Sequence, residues 1–182
     1  MALTYTPEAE IGQTCPDFTL PGVDGKSLSK SDLADAKVKV IMFICNHCPY
    51  VQAIEDRLVQ LATELAPKGV AFVGISSNDP EQYPEDSLEN MKKRATEKGY
   101  PFAYLQDLSQ EVAKSFGAVC TPDFFVYDSQ DRLAYRGRLD DSWKDPNQVQ
   151  RQELKEAIEE LLKGQPVSFE ANPSMGCSIK WK

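Results

Sequence analysis

The stretch Val38-Lys39-Val40-Ile41-Met42-Phe43-Ile44-Cys45-Asn46-His47-Cys48-Pro49-Tyr50-Val51 decides the reading of this chain. Its first part is almost continuously apolar, as expected of a central strand covered on both faces. The run stops at Cys45. From Tyr50 to Leu65 the apolar residues Val51, Ile54, Leu58, Leu61 and Leu65 recur at three- and four-residue steps, which predicts an amphipathic helix stopped by Pro67 and Gly69. Val70-Ala71-Phe72-Val73-Gly74-Ile75 is a second buried strand, and a strand-helix-strand unit of this length closes as a right-handed parallel crossover. A parallel α/β core follows.

Cys45-Asn46-His47-Cys48 sits at the junction of that strand and helix. On the first turn of a helix, the i,i+3 spacing brings two Cα atoms within the separation a disulfide tolerates, and the unpaired N–H groups and helix dipole stabilise a thiolate at the first position. Cys45 is therefore the expected nucleophile and Cys48 the resolving thiol. His47, when protonated, adds a positive charge beside the thiolate. Lowering a thiol pKa by about two units from ~8.5 raises the thiolate fraction at pH 7 roughly 25-fold, yet a Brønsted slope near 0.5 takes back about tenfold. The larger effect is on equilibrium, because a stabilised Cys45 thiolate makes the disulfide more oxidising. Two other uses of the pair stay open. A zinc site needs further ligands, whereas Cys15, Cys120 and Cys177 occur singly and there is no second histidine. Buried cysteines can also fall at this spacing by packing alone.

Further out, Asp17 to Leu20 and Lys26 to Leu28 flank Asp24-Gly25 and predict an N-terminal β-hairpin. Ser76 to Pro84 is rich in turn formers. Asp86, with Glu89 three residues on, resembles a capping box for an inserted helix to about Lys98. Phe102 to Leu105 reads as a third strand, and a short helix follows, with Val112, Ala113 and Phe116 on one face. Phe124 to Tyr127 and Leu133 to Tyr135 form an antiparallel hairpin, and a last helix is predicted from about Asn147 to Lys163. Thr121-Pro122 stands at the start of the first hairpin strand, where a proline is tolerated; beside a Cys-x-x-Cys, it points to a cis bond. Gly164 to Lys182 is a Pro/Gly-punctuated tail on a single domain spanning residues 1–182.

The 182 residues carry 28 acidic and 20 basic side chains, a net charge of −8, and five cysteines. An acidic chain without a Lys/Arg stripe offers little to phosphate backbones or anionic membranes, so neither nucleic acid nor membrane is an expected partner. No apolar run approaches the ~18 residues of a spanning helix, and the first residues have no basic or apolar signal-like region. A cytoplasmic location is the expectation. An odd cysteine count in a chain this size argues for chemistry or metal rather than a disulfide scaffold.

The order strand, Cys-x-x-Cys, helix, strand, helix, Thr-Pro, hairpin, helix resembles the thioredoxin fold. More narrowly, Pro16-Asp17-Phe18-Thr19-Leu20 with Asp24-Gly25-Lys26, the run Cys45 to Val51, Ser77-Asn78-Asp79 with Tyr83-Pro84-Glu85-Asp86, Cys120 to Phe125, and Gly176 to Trp181 resemble the peroxiredoxin-like branch of the redoxin superfamily, related to alkyl hydroperoxide reductase and thiol-specific antioxidant proteins. The resemblance covers nearly the whole chain. It implies a thioredoxin-like fold with an N-terminal hairpin and an inserted helix, attack on disulfides by Cys45, and a cis-proline loop, Thr121-Pro122, facing it. The Asn46-His47 pair looks more like the Gly-His of protein disulfide isomerase than the Gly-Pro of thioredoxin. Peroxiredoxins carry Pro-x-x-x-Thr/Ser-x-x-Cys; here Ile41 stands for the proline, Cys45 for the hydroxyl residue and Cys48 for the cysteine, and Arg136 or Arg138 would have to supply the usual arginine. Peroxidase activity is one alternative, and a metal-binding or redox-sensing interaction protein that does not turn over is the other.

Strand direction then places Asn46, Asn78, Asp79, Tyr83 and Asp107 near the thiols, and the last hairpin strand delivers Arg138, Asp140, Asp141 and Trp143 to the same side. A carboxylate among these could take the proton from Cys48. Cys120, two residues before Pro122, is a candidate third redox thiol. Cys177 is another: the last helix, about 22 Å long, leaves the active-site side, and the 14 residues from Lys163 to Cys177 reach up to ~46 Å, enough to return. Cys15 is expected to pack. The expected redox group is the cysteine pair itself, with no other cofactor. The expected substrate is a disulfide-bearing protein or small thiol, and the expected electron donor is a thioredoxin or glutathione system.

Overall fold

The computed structural model describes residues 3–182. The apolar run becomes β4 (Val38–Phe43), all six residues buried, at the centre of a five-stranded sheet. It pairs in parallel with β5 (Val70–Ser76), which pairs in parallel with β6 (Ala103–Gln106). On its other side it pairs antiparallel with β8 (Asp123–Tyr127), the first strand of a hairpin completed by β9 (Leu133–Gly137). Alternation along β4 divides the core. Val38, Val40 and Met42 face α1 (Pro49–Leu65), α4 (Glu153–Leu162) and Met91 of α2 (Leu88–Lys98). Ile41 and Phe43 face α3 (Glu111–Phe116) and Phe18 and Leu20 of the N-terminal segment. The expected double-sided burial and three layers are both present.

The N-terminal hairpin forms from β2 (Thr19–Pro21) and β3 (Ser27–Ser29), its turn closed by Gly25 at φ +83°. The helix predicted from Asn147 is shorter than expected. Residues Pro146–Gln148 form a single 3-10 turn capped by the Asp145 carboxylate, the Gln150 amide donates to Asp141, and α4 begins only at Glu153. The inward residues Leu154, Ala157 and Ile158 all follow that point, so the upstream residues had no apolar stripe to hold a helix.

Two short strands at the chain ends escaped the sequence reading. β1 (Leu3–Tyr5) and β10 (Met175–Ser178) pair antiparallel, and β10 also pairs with β7 (Cys120–Thr121), making a second, three-stranded sheet. The tail is thus built into the fold beside the Thr121–Pro122 bond, which is cis. Gly176 permits this docking, because a Cβ there would fall 1.8 Å from the Thr121 carbonyl oxygen. Gly176→Ala should therefore lower stability by about 1–3 kcal/mol through overpacking. A urea midpoint unchanged from wild type would show that β10 does not lie against β7.

Candidate active site

Cys45 and Cys48 lie between the end of β4 and the start of α1, at 2% and 0% exposure. Cys48 is the N-cap of α1, and Pro49 occupies the first helical position, where a missing N–H costs nothing. This corrects one expectation. Cys45 precedes the helix, so the amides and dipole expected to stabilise its thiolate act on Cys48 instead. The Cys45 thiol hydrogen-bonds to Cys48 and, with the Val51 and Cys177 amides turned toward that sulfur, holds the Cys48 pKa below the ordinary thiol value against its burial. Cys45 is pushed up by the same shared hydrogen bond, by burial and by the nearby Asp86 carboxylate.

Thr121 contacts both sulfurs. Its Oγ1 is 3.3 Å from Cys45 Sγ, and its carbonyl oxygen is 3.2 Å from Cys48 Sγ. Two proton arrangements are therefore served. The Thr121 carbonyl can accept from a Cys48 thiol while the hydroxyl donates to a Cys45 thiolate, or the Cys45 thiol can donate to a Cys48 thiolate.

Asp86 organises the rim. The capping role read from Asp86 and Glu89 belongs to Ser87, whose hydroxyl accepts from the Asn90 amide. Asp86 is instead fully buried and accepts from the Asn46 amide at 2.7 Å, the His47 amide at 3.4 Å, and Asn78 Nδ2 at 2.8 Å. Its Oδ2 also lies 2.5 Å from His47 Nδ1. The sequence reading missed this role; the one available signal was that Asp86 falls within a string carrying the family resemblance. His47 stacks on Tyr83, with ring centroids 4.8 Å apart. Its Nδ1 is held by Asp86, and a ring nitrogen lies within 4.8 Å of Cys45 Sγ, so a protonated ring sits beside that sulfur with the carboxylate next to both.

Asn46 and Asn78 both lie on the Asp86 carboxylate beside the cysteine loop. Asn46 accepts from the Tyr104 hydroxyl and donates to the Glu85 carbonyl, and Asn78 Oδ1 accepts the Lys180 amide. Asp107 is on the expected side, yet its carboxylate binds Ser77, Ser109 and the Ala113 amide, which makes it an anchor for α3 rather than a base for Cys48. Arg138 pairs with Glu153 and Asp140 with Arg57. Both line a cavity of about 320 Å³ with Pro122, Tyr50 and Trp143. Arg136 pairs with buried Asp123 at 2.7 Å and lies over Phe125, so both arginines considered for a peroxidase site are engaged by carboxylates.

Cys120 is buried near Asp123, and burial followed by that charge drives its thiol pKa up, a setting for a retained proton. Cys15 packs in the second core layer and is pushed up to about 12, by burial and then by Asp131. Cys177 reaches the dithiol: its thiol hydrogen-bonds with Cys48 and, by burial first and this contact second, is pushed up to about 12. Cys45, His47 and Asp86 also offer three donor atoms within 4.8 Å of one another, a mixed S/N/O set of the kind zinc accepts. Asp86, distant in sequence from the cysteines, supplies the third donor.

A central sheet whose middle strand runs into a Cys-x-x-Cys at a helix start, faced by a cis-proline, defines a thioredoxin-like redoxin. The AhpC/TSA family pattern matches residues 11–136, and the chain belongs to that family. It is 27% identical over 116 residues, covering 64% of this chain and 72% of the relative, to "Putative peroxiredoxin bcp" of Coxiella burnetii. A solved structure of an uncharacterized conserved protein from Geobacillus kaustophilus is 49% identical, with a TM-score of 0.95, covering 100% of this chain and 97% of that one. A thiol:disulfide interchange protein of the thioredoxin family from Chlorobium tepidum shares the fold at 21% identity and a TM-score of 0.62, covering 87% of this chain and 98% of that one. Oxidoreductase activity is the coarse function these relations carry. No helix among the described residues is long and apolar enough to cross a membrane.

The Asp86 hydrogen bond, stronger than the opposing burial, raises the His47 pKa above 6.5. The pair therefore contributes stability that is fully present below about pH 6.5 and is lost as pH rises through the folded value. His47 is the only histidine, so an imidazole NMR titration should give one midpoint, above 6.5 in the wild type and lower in Asp86→Asn. Equal midpoints in the two proteins would remove Asp86 as the cause.

Proposed function

We propose that the protein is a thiol-disulfide oxidoreductase whose working group is the Cys45–Cys48 couple. The observation that supports this best is that Thr121 contacts both buried sulfurs, its hydroxyl at Cys45 and its carbonyl at Cys48. In this reading the proton passes from Cys45 to Cys48, and the Thr121 hydroxyl steadies the Cys45 thiolate as it attacks a substrate disulfide. One substrate sulfur bonds to Cys45 Sγ, and the other leaves and is protonated. Cys48, returned to its favoured thiolate form, then attacks Cys45 Sγ and expels the second substrate sulfur, leaving the Cys45–Cys48 disulfide. The reverse sequence oxidises a dithiol. A stabilised thiolate at Cys48 favours the reduced protein, so the disulfide is the stronger oxidant. The cavity beside Pro122, with Tyr50 and Trp143, is suited to the apolar part of a disulfide-bearing protein or small thiol. A dithiol protein or glutathione would serve as electron donor.

The second reading is a thiol peroxidase in which the Cys48 thiolate attacks a hydroperoxide and Cys45 condenses with the resulting sulfenic acid. The lowered Cys48 pKa at the start of α1 favours it; the engagement of Arg136 and Arg138 by carboxylates does not.

A mixed-disulfide trap separates attack at the two sulfurs. With a disulfide-bearing peptide, Cys48→Ser should accumulate an adduct on Cys45 while Cys45→Ser accumulates none. An adduct on Cys48 in Cys45→Ser, together with rapid consumption of hydroperoxide by the reduced wild type, would move the assignment to the peroxidase. The couple's midpoint in glutathione buffers should be less negative than thioredoxin's value of about −270 mV.

A further inference from the structure

β10 sets Cys177 opposite Thr121, the residue that touches the other two sulfurs. The strand cannot stand off: its neighbour Gly176 lies against the Thr121 carbonyl with no room for a Cβ. It is also pinned at both ends. The Ser174 hydroxyl donates to the Pro122 carbonyl, and the Lys180 amide donates to Asn78. Cys177 shares one apolar cluster with Cys45 and Cys48, its thiol hydrogen-bonds with Cys48, and its amide points at the same sulfur. An added strand is how an extended peptide is commonly presented to a sheet edge; here the chain supplies that strand itself, with a cysteine on it.

We propose that Cys177 is a third redox thiol, which exchanges into the oxidised couple to form a Cys48–Cys177 disulfide that ties the C-terminal strand to the start of α1. The proposal rests on the Cys45–Cys48 couple and says where its oxidised state goes. Starting from the Cys45–Cys48 disulfide, made when a substrate disulfide has been reduced, Cys177 gives up its thiol proton and its sulfur bonds to Cys48 Sγ. The Cys45–Cys48 bond breaks, and Cys45 leaves as a thiolate that takes the proton. One S–S bond forms, one breaks, and no electrons are gained or lost. The proton given up by Cys177 is the one the departing Cys45 takes, so no charge is left in a buried site. The product returns Cys45 as a thiol and fastens β10 over the site. A reductant must then reach Cys48 or Cys177, or the exchange must run backward.

The test uses whole protein equilibrated in oxidising glutathione buffer, quenched, alkylated and digested with trypsin. Cleavage places Cys45 and Cys48 together in peptide 40–57 and Cys177 in peptide 164–180. The wild type should yield both an internal 40–57 disulfide and a 40–57/164–180 pair. Cys45→Ser, which cannot form the starting Cys45–Cys48 disulfide, should yield no such pair and leave Cys177 alkylatable. If Cys177 stays fully alkylatable in the wild type while its internal disulfide closes, or if the pair forms as readily in Cys45→Ser, the exchange is overturned and the couple stands. If Cys177→Ser closes no internal disulfide at any poise, the couple fails and the exchange with it.

Discussion

The Asp86 carboxylate is the constraint on which the site depends. A fully buried charge is tolerated only when its lone pairs are satisfied, and here four donors come from two separate places: the backbone and imidazole of the Asn46-His47 link, and the side chain of Asn78. Asn78 in turn accepts from Lys180 of the tail. One carboxylate therefore fixes the loop between the two cysteines, the segment after β5, and, through Asn78, the last residues of the chain. Its removal would leave several buried donors without partners, which is costlier than the loss of any one bond.

The unequal thiols follow first from the hydrogen bond between them, which raises Cys45 and lowers Cys48. Cys45 lies on the Asp86 side and feels a negative charge, whereas Cys48 caps α1 and meets N–H groups. A charge on His47 is shared with Asp86, which holds the ring beside the same sulfurs.

Much of the fold was legible because it rests on period. The β4 run and the α1 stripe are long and regular, and each buries its whole apolar set. The cysteine pair, Thr121 and the cis-proline followed from local spacing and the family resemblance. What escaped is non-local. Asp86 read as a cap because carboxylates at helix starts commonly are caps, and only the tertiary contact with Asn46 reveals its other use. β1, β7 and β10 are two to four residues long, too short for alternation to register, and their pairing spans nearly the length of the chain. The overlong last helix came from extending its pattern into Asn147 to Gln152, whose amides are claimed by side chains and a 3-10 turn.

The near-complete burial of the Cys45 and Cys48 sulfurs has a kinetic consequence. A reagent can meet them only in the fraction of molecules whose covering wall, formed in part by β10, has opened. The observed rate is then the chemical rate multiplied by that fraction, falling tenfold for each ~1.4 kcal/mol the opening costs. With a bulky reagent in excess, opening itself becomes limiting and the rate stops rising with concentration, so the wall sorts reagents by size before thiol chemistry begins.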